Sequence, residues 1–464
     1  MMCRLADKTV EDILRKGSIY EVGGAVRDKY LDVSKKSKDR DYLVTGIPYE
    51  ELTGILRNHG RVDLVGRSFG VIKFTQSRYD KTYTFDITLP RREHSTGVSH
   101  KDFDVAFDPD LKVEDDLVRR DFTVNAMALS LEGDKLVDPL GGLADLKGRL
   151  LRMTSPTSFK EDPLRMLRAV QFAARFEFII EPATFKAIRE HASMVKTVSE
   201  ERIAEELSKM LTLAPHPSDG FRIMQATGLL DEVLPELSKC VGVDQPGGYH
   251  KYDVFEHDIR CVDACAPSLR LRLAALFHDI NKPQAKRLTD DGATFYGHEV
   301  TSARTAIRVL ERLRFPKALA SEVSTLVERH MFTTDVTDKG LRRLIRRVGK
   351  ELIFDLLDLR RADVIAQGMG GTTEDVDELE TAIREEILRQ PPFGLSDVAI
   401  SGHDIMRLFN LEPSHRVGEI LDHLLEQVLD HPEFNTIEKL ESLAKEYCEK
   451  TTECRDKDSK ESNL

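Results

Sequence analysis

The sequence has no long apolar run and few cysteines, and both absences narrow the class of protein. No segment approaches the roughly 18 consecutive apolar residues of a membrane-spanning helix, so we expect no membrane partner. The N-terminal segment lacks the apolar centre of a secretory signal, which makes a reducing cytoplasm the expected compartment. The six cysteines are scattered along 464 residues. Cys261 and Cys265 could form half of a metal site at most, and we expect buried, unlinked thiols.

Acidic residues outnumber basic ones, 80 to 68, so the formal net charge is −12. A nucleic-acid partner needs lysines and arginines gathered on one face, since phosphate contacts dominate such binding. One segment gathers arginines at helical spacing: Arg342, Arg343, Arg346 and Arg347. The same spacing is typical of an ordinary solvent-exposed helix face, which is the simpler interpretation. The composition therefore decides neither for nor against RNA.

Strand and helix signals divide the chain at about residue 150. Short β-type runs, such as 18–22 and 82–87, alternate with helical ones before that point and predict an α+β head with a small sheet. The polar, glycine-containing stretch 91–110 predicts a long loop. From about residue 160, amphipathic helices follow one another to about residue 450. The charged end, 451–464, is expected to be disordered.

Two glycines and two aspartates form the first arrangement of chemical interest. Gly23 and Gly24 follow a predicted strand, so backbone N–H groups there can approach a phosphate, and Arg27 can neutralise a departing pyrophosphate. Asp39 and Asp41 begin another predicted strand, on which residues two apart point to one face. Two carboxylates on one face can hold Mg²⁺ ions. The arrangement favours nucleotidyl transfer over a chance pair of surface acids.

A third carboxylate is available on a later strand. Asp86 lies in the run 84–88 and could join the pair as a catalytic residue. It could equally be an ordinary acid at a strand edge, and the sequence leaves both interpretations open.

These segments resemble the class II tRNA nucleotidyltransferases and the bacterial poly(A) polymerases, a branch of the polymerase-beta-like nucleotidyltransferase superfamily. The resemblance extends to about residue 450 and implies catalytic Mg²⁺, no DNA partner, and Asp28 as part of the nucleotide site. It also implies an order of domains: a nucleotidyltransferase head with a small mixed sheet (1–150), a helical neck with a base-selecting helix (151–245), an HD-type helical domain (246–370) and a helical, tRNA-binding tail (371–450).

The segment 119–127 resembles the family segment that contacts the nucleotide sugar. Asp121 can accept hydrogen bonds from ribose hydroxyls, Arg120 can reach the phosphates, and Asn125 belongs to the same nucleotide-binding motif. The resemblance therefore implies a preference for ribonucleotides.

The segment 161–168 resembles the one in which the protein itself selects the base. Asp162 would accept from an exocyclic amine and Arg165 would donate to ring acceptors, from one face of a helix, while Arg168 completes the motif. This pairing suits cytosine and adenine. The alternative is that Asp162 only caps the helix and that Arg165 lies along its surface.

Two neighbouring features carry no assigned role. Gln171 stands where the family usually has an arginine, so it brings a hydrogen-bonding amide without the charge. The segment 198–207 resembles the helix that supports the base-selecting helix, and we interpret it as scaffold.

A second set of ligand-type residues occupies the middle of the chain. Its core, 271–283, resembles the HD-domain phosphohydrolases, in which histidines and aspartates from separate helices bind one or two divalent metals. Imidazole with carboxylate suits Mn, Fe, Ni or Zn. Whether the site is catalytic or only architectural stays open. The implied ligands are His257, His278, Asp279, His298, His330 and Asp363.

Taken with the resemblance, these features predict an enzyme that adds CCA to the 3′ end of tRNA from CTP and ATP and releases pyrophosphate. A bacterial poly(A) polymerase is less favoured, because the chain has an acidic rather than a basic C-terminal segment. An enzyme that adds only CC or only A stays open. So does an HD phosphohydrolase that acts on nucleotides or RNA ends. A non-catalytic RNA-binding protein is disfavoured, because each catalytic position holds a competent residue.

Overall fold

In a computed structural model of the protein, the described residues are 4–31, 40–64, 71–78, 81–95, 103–289, 292–389 and 391–461. The chain forms two compact units, Met1–Ser238 with Arg312–Phe315, and Lys239–Glu311 with Pro316–Leu464. None of the described helices is both long and apolar enough to cross a membrane.

The first unit contains a mixed β-sheet, as expected for the head. Its strand order is β3–β4–β5–β2–β1–β8–β9, in which β2 and β5 are parallel and the other neighbours antiparallel. The strands of the chain are β1 Ser18–Val22, β2 Asp41–Thr45, β3 Arg61–Leu64, β4 Val71–Arg78, β5 Lys81–Thr88, β6 Arg91–Ser95, β7 Phe103–Phe107, β8 Ala128–Ser130, β9 Leu136–Val137, β10 Leu150–Leu151, β11 Ile179–Ile180, β12 Arg287–Thr289 and β13 Gly292–Thr294.

Period-two alternation gives this sheet its two faces. On β4 and β5, Phe74 pairs with Phe85, and both are buried with Ile87 against apolar residues of the first and third helices. On the other face, Val22 and Leu43 belong to a smaller apolar cluster. Because successive side chains alternate between faces, Asp41 lies on the same face as Leu43.

Helices complete the first unit. The neck helices α7 and α9 pack together. Helix α10 can pack closely against them because Gly220 has no side chain; a Cβ at this position would lie only 2.2 Å from the Met210 sulphur. The helices of this unit are α1 Asp7–Leu14, α2 Gly24–Tyr30, α3 Tyr49–Arg57, α4 Val113–Leu117, α5 Gly142–Lys147, α6 Ser158–Glu161, α7 Leu164–Phe176, α8 Pro182–His191, α9 Glu200–Leu213, α10 Pro217–Thr227, α11 Leu229–Val233 and α12 Pro235–Ser238.

The second unit is helical apart from the hairpin β12–β13. Its helices are α13 Val254–Ala264, α14 Leu269–Phe277, α15 Lys282–Ala285, α16 His298–Arg312, α17 Lys317–Arg329, α18 Asp338–Val348, α19 Leu352–Ala366, α20 Glu374–Leu388, α21 Gly402–Phe409, α22 His415–Asp430 and α23 Ile437–Glu461. Helices α13, α14, α17 and α19 pack against one another, and α21–α23 share an apolar core of their own.

One expectation about irregular structure was wrong. The stretch 91–110 is not a structureless loop, because β6 and β7 pair antiparallel in it, from Arg91 opposite Phe107 to Ser95 opposite Phe103. Its polar composition hid the alternating strand signal at its C-terminal side. At the end of the chain α23 continues to Glu461, and the disorder expected for 451–464 stays a prediction.

Three of the four arginines of α18 pair with acids within the second unit, whereas Arg347 is exposed. Arg342 is 7% exposed and donates to Glu386 at 2.8 Å. Arg343 pairs with Asp430 at 2.8 Å, and Arg346 pairs with Glu426 of α22. These contacts make the helix a structural support of the unit, which is why its spacing was a poor indicator of phosphate binding.

Replacing Arg342 by methionine should destabilise the protein by about 3 kcal/mol, because it leaves Glu386 buried without its main counter-charge. Arg347→Met is the matched control, since Arg347 is exposed on the same helix, and it should cost no more than about 0.5 kcal/mol. Urea unfolding followed by circular dichroism measures both. Equal losses would show that the buried pair contributes nothing specific.

Candidate functional site

The register of the main sheet places Asp41 beside Asp86. The two residues are direct partners across the parallel pair β2–β5, and Val22 of β1 is the partner of Asp41 on the other side. Directly paired residues point to the same face of a sheet, so the two carboxylates share one face. Asp39, which was expected beside them, lies outside the described residues.

A tight turn at Gly23 brings the backbone close to the Asp41 carboxylate. Gly23 connects β1 to α2 with a φ of +73°, a region that favours glycine. A Cβ at this position would lie 3.2 Å from an Arg120 guanidinium nitrogen and 3.5 Å from an Asp41 carboxylate oxygen. The absence of a side chain therefore lets Arg120 and Asp41 approach the turn at Gly23 and Gly24.

A chain of buried polar contacts runs from the head to the neck. Arg27 donates to Asp28 at 2.7 and 2.9 Å and to the Asn125 side-chain oxygen at 2.8 Å. Asn125 donates to Asp121 at 3.0 Å, and Asp121 accepts from Arg168 of α7 at 2.7 and 2.9 Å. Asp28 is 5% exposed, so its position suits orienting Arg27 better than contacting a ligand.

The ionised form of Asp121 is favoured by this network. Burial alone would raise the pKa of Asp121, but the Arg168 charge and hydrogen bonds from Asn125, Arg168 and the Phe122 N–H outweigh burial. The pKa of Asp121 therefore lies below its usual range. A carboxylate that is charged at neutral pH is consequently held at the junction of head and neck.

Asp162 lies before α7, not on it. The residue before a proline is pushed towards extended backbone, and Asp162, which precedes Pro163, has φ −142° and ψ 100°. Helix α7 begins only at Leu164. Asp162 accepts from the Leu164 N–H at 3.1 Å, the capping contact of our alternative, and from Arg202 at 2.7 Å. The prediction that Asp162 and Arg165 share a helical face was therefore wrong.

Arg165 is anchored independently of Asp162. Its guanidinium donates to the Arg119 carbonyl at 2.8 Å and to the Ser158 hydroxyl at 2.9 Å. One contact reaches the head segment and the other reaches α6. The same guanidinium also donates to the Glu161 carboxylate at 3.3 Å, so two neutral oxygens and one acid hold the planar fork.

One cavity of about 490 Å³ in the first unit is lined by these polar side chains. It is also lined by residues to which the sequence analysis gave no role. Arg202, Glu206 and Lys209 recur on α9 at the spacing of one helical face. That spacing could have identified α9 as part of the site, so its interpretation as scaffold alone was wrong. The cavity is lined by Gly23, Gly24, Arg27, Asp41, Arg120, Asp121, Asn125, Asp162, Leu164, Arg165, Arg168, Gln171, Phe172, Arg175, Arg202, Glu206 and Lys209.

In the second unit, the six expected metal ligands meet around Asp279. One carboxylate oxygen of Asp279 lies 3.4 Å from His278 Nε2 and 3.5 Å from His257 Nε2. Its other oxygen lies 3.0 Å from His298 Nε2 and 3.7 Å from His330 Nε2. Asp279 thus joins two half-sites. The sixth residue, Asp363, lies 3.2 Å from His257 Nε2 and completes the first half-site.

Backbone carbonyls orient three of these imidazoles. The Nδ1 atoms of His278, His298 and His330 each contact the carbonyl oxygen of the residue three positions earlier, at 2.7–2.8 Å. Such a contact fixes Nδ1 as the protonated nitrogen and leaves Nε2 free to bind a metal. All three Nε2 atoms face Asp279.

The protonation states of this cluster suit a divalent metal. Burial lowers the pKa of His330 to about 3, and burial also lowers the pKa of His278. The histidines hold the pKa of Asp363 below its usual range even though burial opposes this. His298 differs, because its hydrogen bond to Asp279 and the charge of that carboxylate raise its pKa against the effect of burial. Neutral imidazoles and ionised carboxylates are the forms that coordinate metals, so His278, His330 and Asp363 fit a transition metal as they stand.

Sequence reasoning missed three neighbours of the cluster. His250 packs against His257 with ring centroids 4.8 Å apart, and Lys282 contacts Asp279 at 2.5 Å. Asp258 is fully buried, and within the described residues neither of its carboxylate oxygens has a hydrogen-bond partner. Two of them offered a signal in the sequence, since Lys282 lies within the HD-like core 271–283 and Asp258 directly follows His257.

Comparison with known proteins places the chain in a family. Residues 19–152 match the model of the poly A polymerase head domain, 177–240 that of the RNA- and SrmB-binding site of polymerase A, and 297–444 that of tRNA nucleotidyltransferase domain 2. The A-adding tRNA nucleotidyltransferase of Deinococcus radiodurans is 38% identical over 334 residues, which cover 68% of this chain and 75% of that protein. The chain belongs to the tRNA nucleotidyltransferase/poly(A) polymerase family. The Multifunctional CCA protein of Azoarcus sp. is also 38% identical, over 64% of this chain and 69% of that protein.

Solved structures confirm the fold expected for this family. The Bacillus stearothermophilus CCA-adding enzyme in complex with CTP has a TM-score of 0.71 at 21% identity and covers 96% of this chain and 97% of its own. The Thermotoga maritima CCA-adding enzyme complexed with tRNA has a TM-score of 0.52 at 21% identity, with coverages of 95% and 93%. The α+β head followed by helical domains is therefore the architecture of this family.

Replacing Asp121 by asparagine should lower stability at pH 7 by about 1.5–3 kcal/mol, because it removes charge-assisted hydrogen bonds from Arg168. Since the pKa of Asp121 is lowered in the folded state, this contribution is complete above the unfolded value of about 4 and is lost as pH falls further. Urea titrations of both proteins between pH 7 and pH 3 should therefore converge only at the acidic end.

Asp219→Asn serves as the control for this titration, because Asp219 forms an exposed pair with Arg222 on α10. It should cost no more than about 1 kcal/mol at any pH. If the Asp121 variant differs from wild type by a constant amount down to pH 3, the carboxylate is not the source of the stability.

Proposed function

We propose that this protein completes the CCA sequence at tRNA 3′ ends, using CTP and ATP and releasing pyrophosphate. Family membership supports nucleotidyl transfer, and the printed names of the relatives support tRNA as the acceptor. One observation carries the proposal: Asp41, on the carboxylate-bearing sheet face, and the base-selecting candidates Asp162 and Arg165 line the same cavity. Carboxylates alone would fit any nucleotidyl transfer, whereas this combination also lets the protein choose the base.

Asp41 and Asp86, together with Asp39 from the sequence, are the residues that would hold Mg²⁺. Their oxygen atoms are the ligands that Mg²⁺ prefers, and the register of β2 and β5 brings Asp41 and Asp86 side by side. When bound, Mg²⁺ would supply charge neutralisation at the reacting phosphate and the attacking hydroxyl.

The residues around the carboxylates suit the rest of a nucleotide. The backbone at Gly23 and Gly24 can approach phosphate oxygens, and Arg27, oriented by Asp28, supplies positive charge. Asp121 can accept from ribose hydroxyls while Arg168 still donates to it, because each carboxylate oxygen has two lone pairs. These groups contribute positioning and electrostatic stabilisation rather than covalent chemistry.

Base selection requires an exchange of partners. Asp162 is occupied by Arg202, and Arg165 by the Arg119 carbonyl and Ser158. An incoming base with an exocyclic amine would take the place of Arg202 at Asp162, while its ring acceptor would receive the Arg165 donor. Arg202 thereby keeps the carboxylate neutralised until a base takes its place.

The proposal extends to the domain order implied by the resemblance. Head (1–150) and neck (151–245) would carry the transfer reaction, the HD-type domain (246–370) a second metal site, and the tail (371–450) contacts to tRNA. Helices α21 and α22 would offer backbone N–H groups to tRNA phosphates, and the start of α21 is held by a capping contact between Ser401 and Asp404.

An enzyme that adds only the terminal A is a second candidate, which the name of the Deinococcus relative favours. Purified protein should be incubated with tRNA that ends at the discriminator base and with tRNA that already ends in CC. Each labelled nucleotide is supplied singly and in combination. Three added residues on the first substrate support full CCA addition; addition of A to the second alone supports the A-adding enzyme; a long A tail supports a poly(A) polymerase.

Asp41→Asn and Asp86→Asn should each lower kcat for A addition to tRNA-CC by roughly a hundredfold to a thousandfold, because each removes a charged ligand from the transferring phosphate's site. Asp63→Asn, an acid on the neighbouring edge strand that pairs with Arg61, should leave kcat unchanged. Steady-state incorporation assays measure all three. If the Asp86 variant is as active as the Asp63 variant, Asp86 is not catalytic and is an ordinary acid at a strand edge.

We further propose that the histidine cluster holds divalent transition metal and hydrolyses phosphoesters of nucleotides or RNA ends. Metal bound there would polarise the phosphoester and activate water. The supporting observation is a cavity of about 630 Å³ lined by His298, His330 and Asp363 and also by the cations Lys282 and Arg360. Positive side chains beside a metal site suit a phosphate-bearing substrate.

Asp279→Ala should abolish binding of Mn²⁺ to this cluster, because Asp279 joins both half-sites. His330→Ala affects one half-site and should lower the metal content from about two ions to about one. Metal content is measured by mass spectrometry after chelation and reloading. His423→Ala is the control, since His423 stacks on Tyr447 instead. An Asp279 variant with the metal content of the control would contradict the proposed site.

A further inference from the structure

Two side chains one turn apart on α7 face the cavity of the first unit without a role in the description so far. Arg175 and Gln171 both line this cavity. The Arg175 guanidinium lies 4.7 Å from the centre of the Phe176 ring, and that of Arg27 lies 4.4 Å from the same ring. Two guanidinium groups therefore share one aromatic ring at the wall of the cavity.

The charge of Arg175 is not neutralised in the way that the other cavity arginines are. Arg27 pairs with Asp28, Arg168 with Asp121 and Arg202 with Asp162. Among the residues that the structure describes, Arg175 has no ion pair and no hydrogen bond. Burial and the neighbouring Arg27 charge both lower the pKa of Arg175. This part of the cavity consequently holds an excess of positive charge.

Gln171 adds an unused donor at the same place. Its side chain is 2% exposed, and its amide nitrogen has no hydrogen-bond partner within the described residues. A buried donor without a partner is costly, and a ligand oxygen would remove that cost. A cation and a neutral donor on one helical face together provide what an anionic oxygen needs.

We propose that Arg175 and Gln171 form a subsite for a phosphate group in the nucleotidyltransferase cavity, an inference that rests on the proposed function. Gln171 brings a donor without a charge, and residues four apart lie on the same helical face. Arg175 thus supplies the positive charge from one turn later. The phosphate belongs either to the triphosphate of the incoming nucleotide or to the 3′ end of the tRNA.

Three variants test the subsite. Arg175→Gln removes the charge and should weaken binding roughly tenfold to a hundredfold, the value of a charge-assisted hydrogen bond. The double variant Gln171→Arg/Arg175→Gln returns the charge to the other position and should recover most of the loss. Arg189→Gln is the control, because it removes one exposed cation from α8 of the same unit and should change binding by less than about twofold.

The source of the phosphate is decided by two separate titrations of the full-length protein. Calorimetry with Mg·ATP and Mg·CTP in the absence of tRNA reports on the triphosphate, and a gel-shift titration with tRNA-CC at fixed salt reports on the RNA. A loss confined to either titration, with recovery in the double variant, supports the subsite and names its ligand. Unchanged affinities in both titrations, or wild-type protein that binds neither ligand, overturn it.

Two further observations keep this test separate from the proposed function. Wild-type protein that binds Mg·ATP through Arg175 but adds nothing to tRNA would overturn the proposed function and leave the subsite standing. If Arg175→Gln shifts the thermal unfolding curve, Gln171→Arg in the presence of Arg175 decides instead. A second cation should tighten phosphate binding there, and the absence of any tightening would overturn the subsite.

Discussion

The first unit depends on the burial of one charged carboxylate between two segments that are distant in sequence. Asp121 accepts hydrogen bonds from Asn125 of its own segment and from Arg168 of α7. A buried carboxylate is tolerated only when such partners stabilise its charge. This requirement holds the head segment against the neck helix. The start of β2, with Asp41, and the segment with Asp162 therefore border the same cavity.

The same constraint explains how an acidic protein can line a cavity with cations. The net charge of −12 averages over a surface rich in acids, whereas the cavity arginines are held by single carboxylates such as Asp28 and Asp162. Each pair keeps its cation oriented at the wall of the cavity. A phosphate can then add to a guanidinium that retains its own acid, since the fork carries five donors.

In the second unit, the imidazoles of several histidines point at one centre, the Asp279 carboxylate. Histidines on separate helices contribute Nε2 atoms because backbone carbonyls three residues earlier occupy their Nδ1 atoms. Asp279 then supplies one oxygen to each half-site. Backbone carbonyls therefore orient these three imidazoles, and no further side chain is needed for it.

The sequence by itself determined the α+β head and the helical remainder, and it predicted most residues of both candidate sites, because these depend on periodicity and on motifs of a few residues. It could not determine which face of α9 borders the cavity, or that Arg342 is buried while Arg347 is exposed. Polar composition also concealed the hairpin β6–β7. The tertiary structure alone decided that Asp41 lies beside Asp86, that proline removes Asp162 from the helix of Arg165, and that Arg175 forms no ion pair with the described residues. The physical reason is that strand register, partner choice and burial are set by contacts between segments far apart in the chain, and the local pattern of one segment does not contain them.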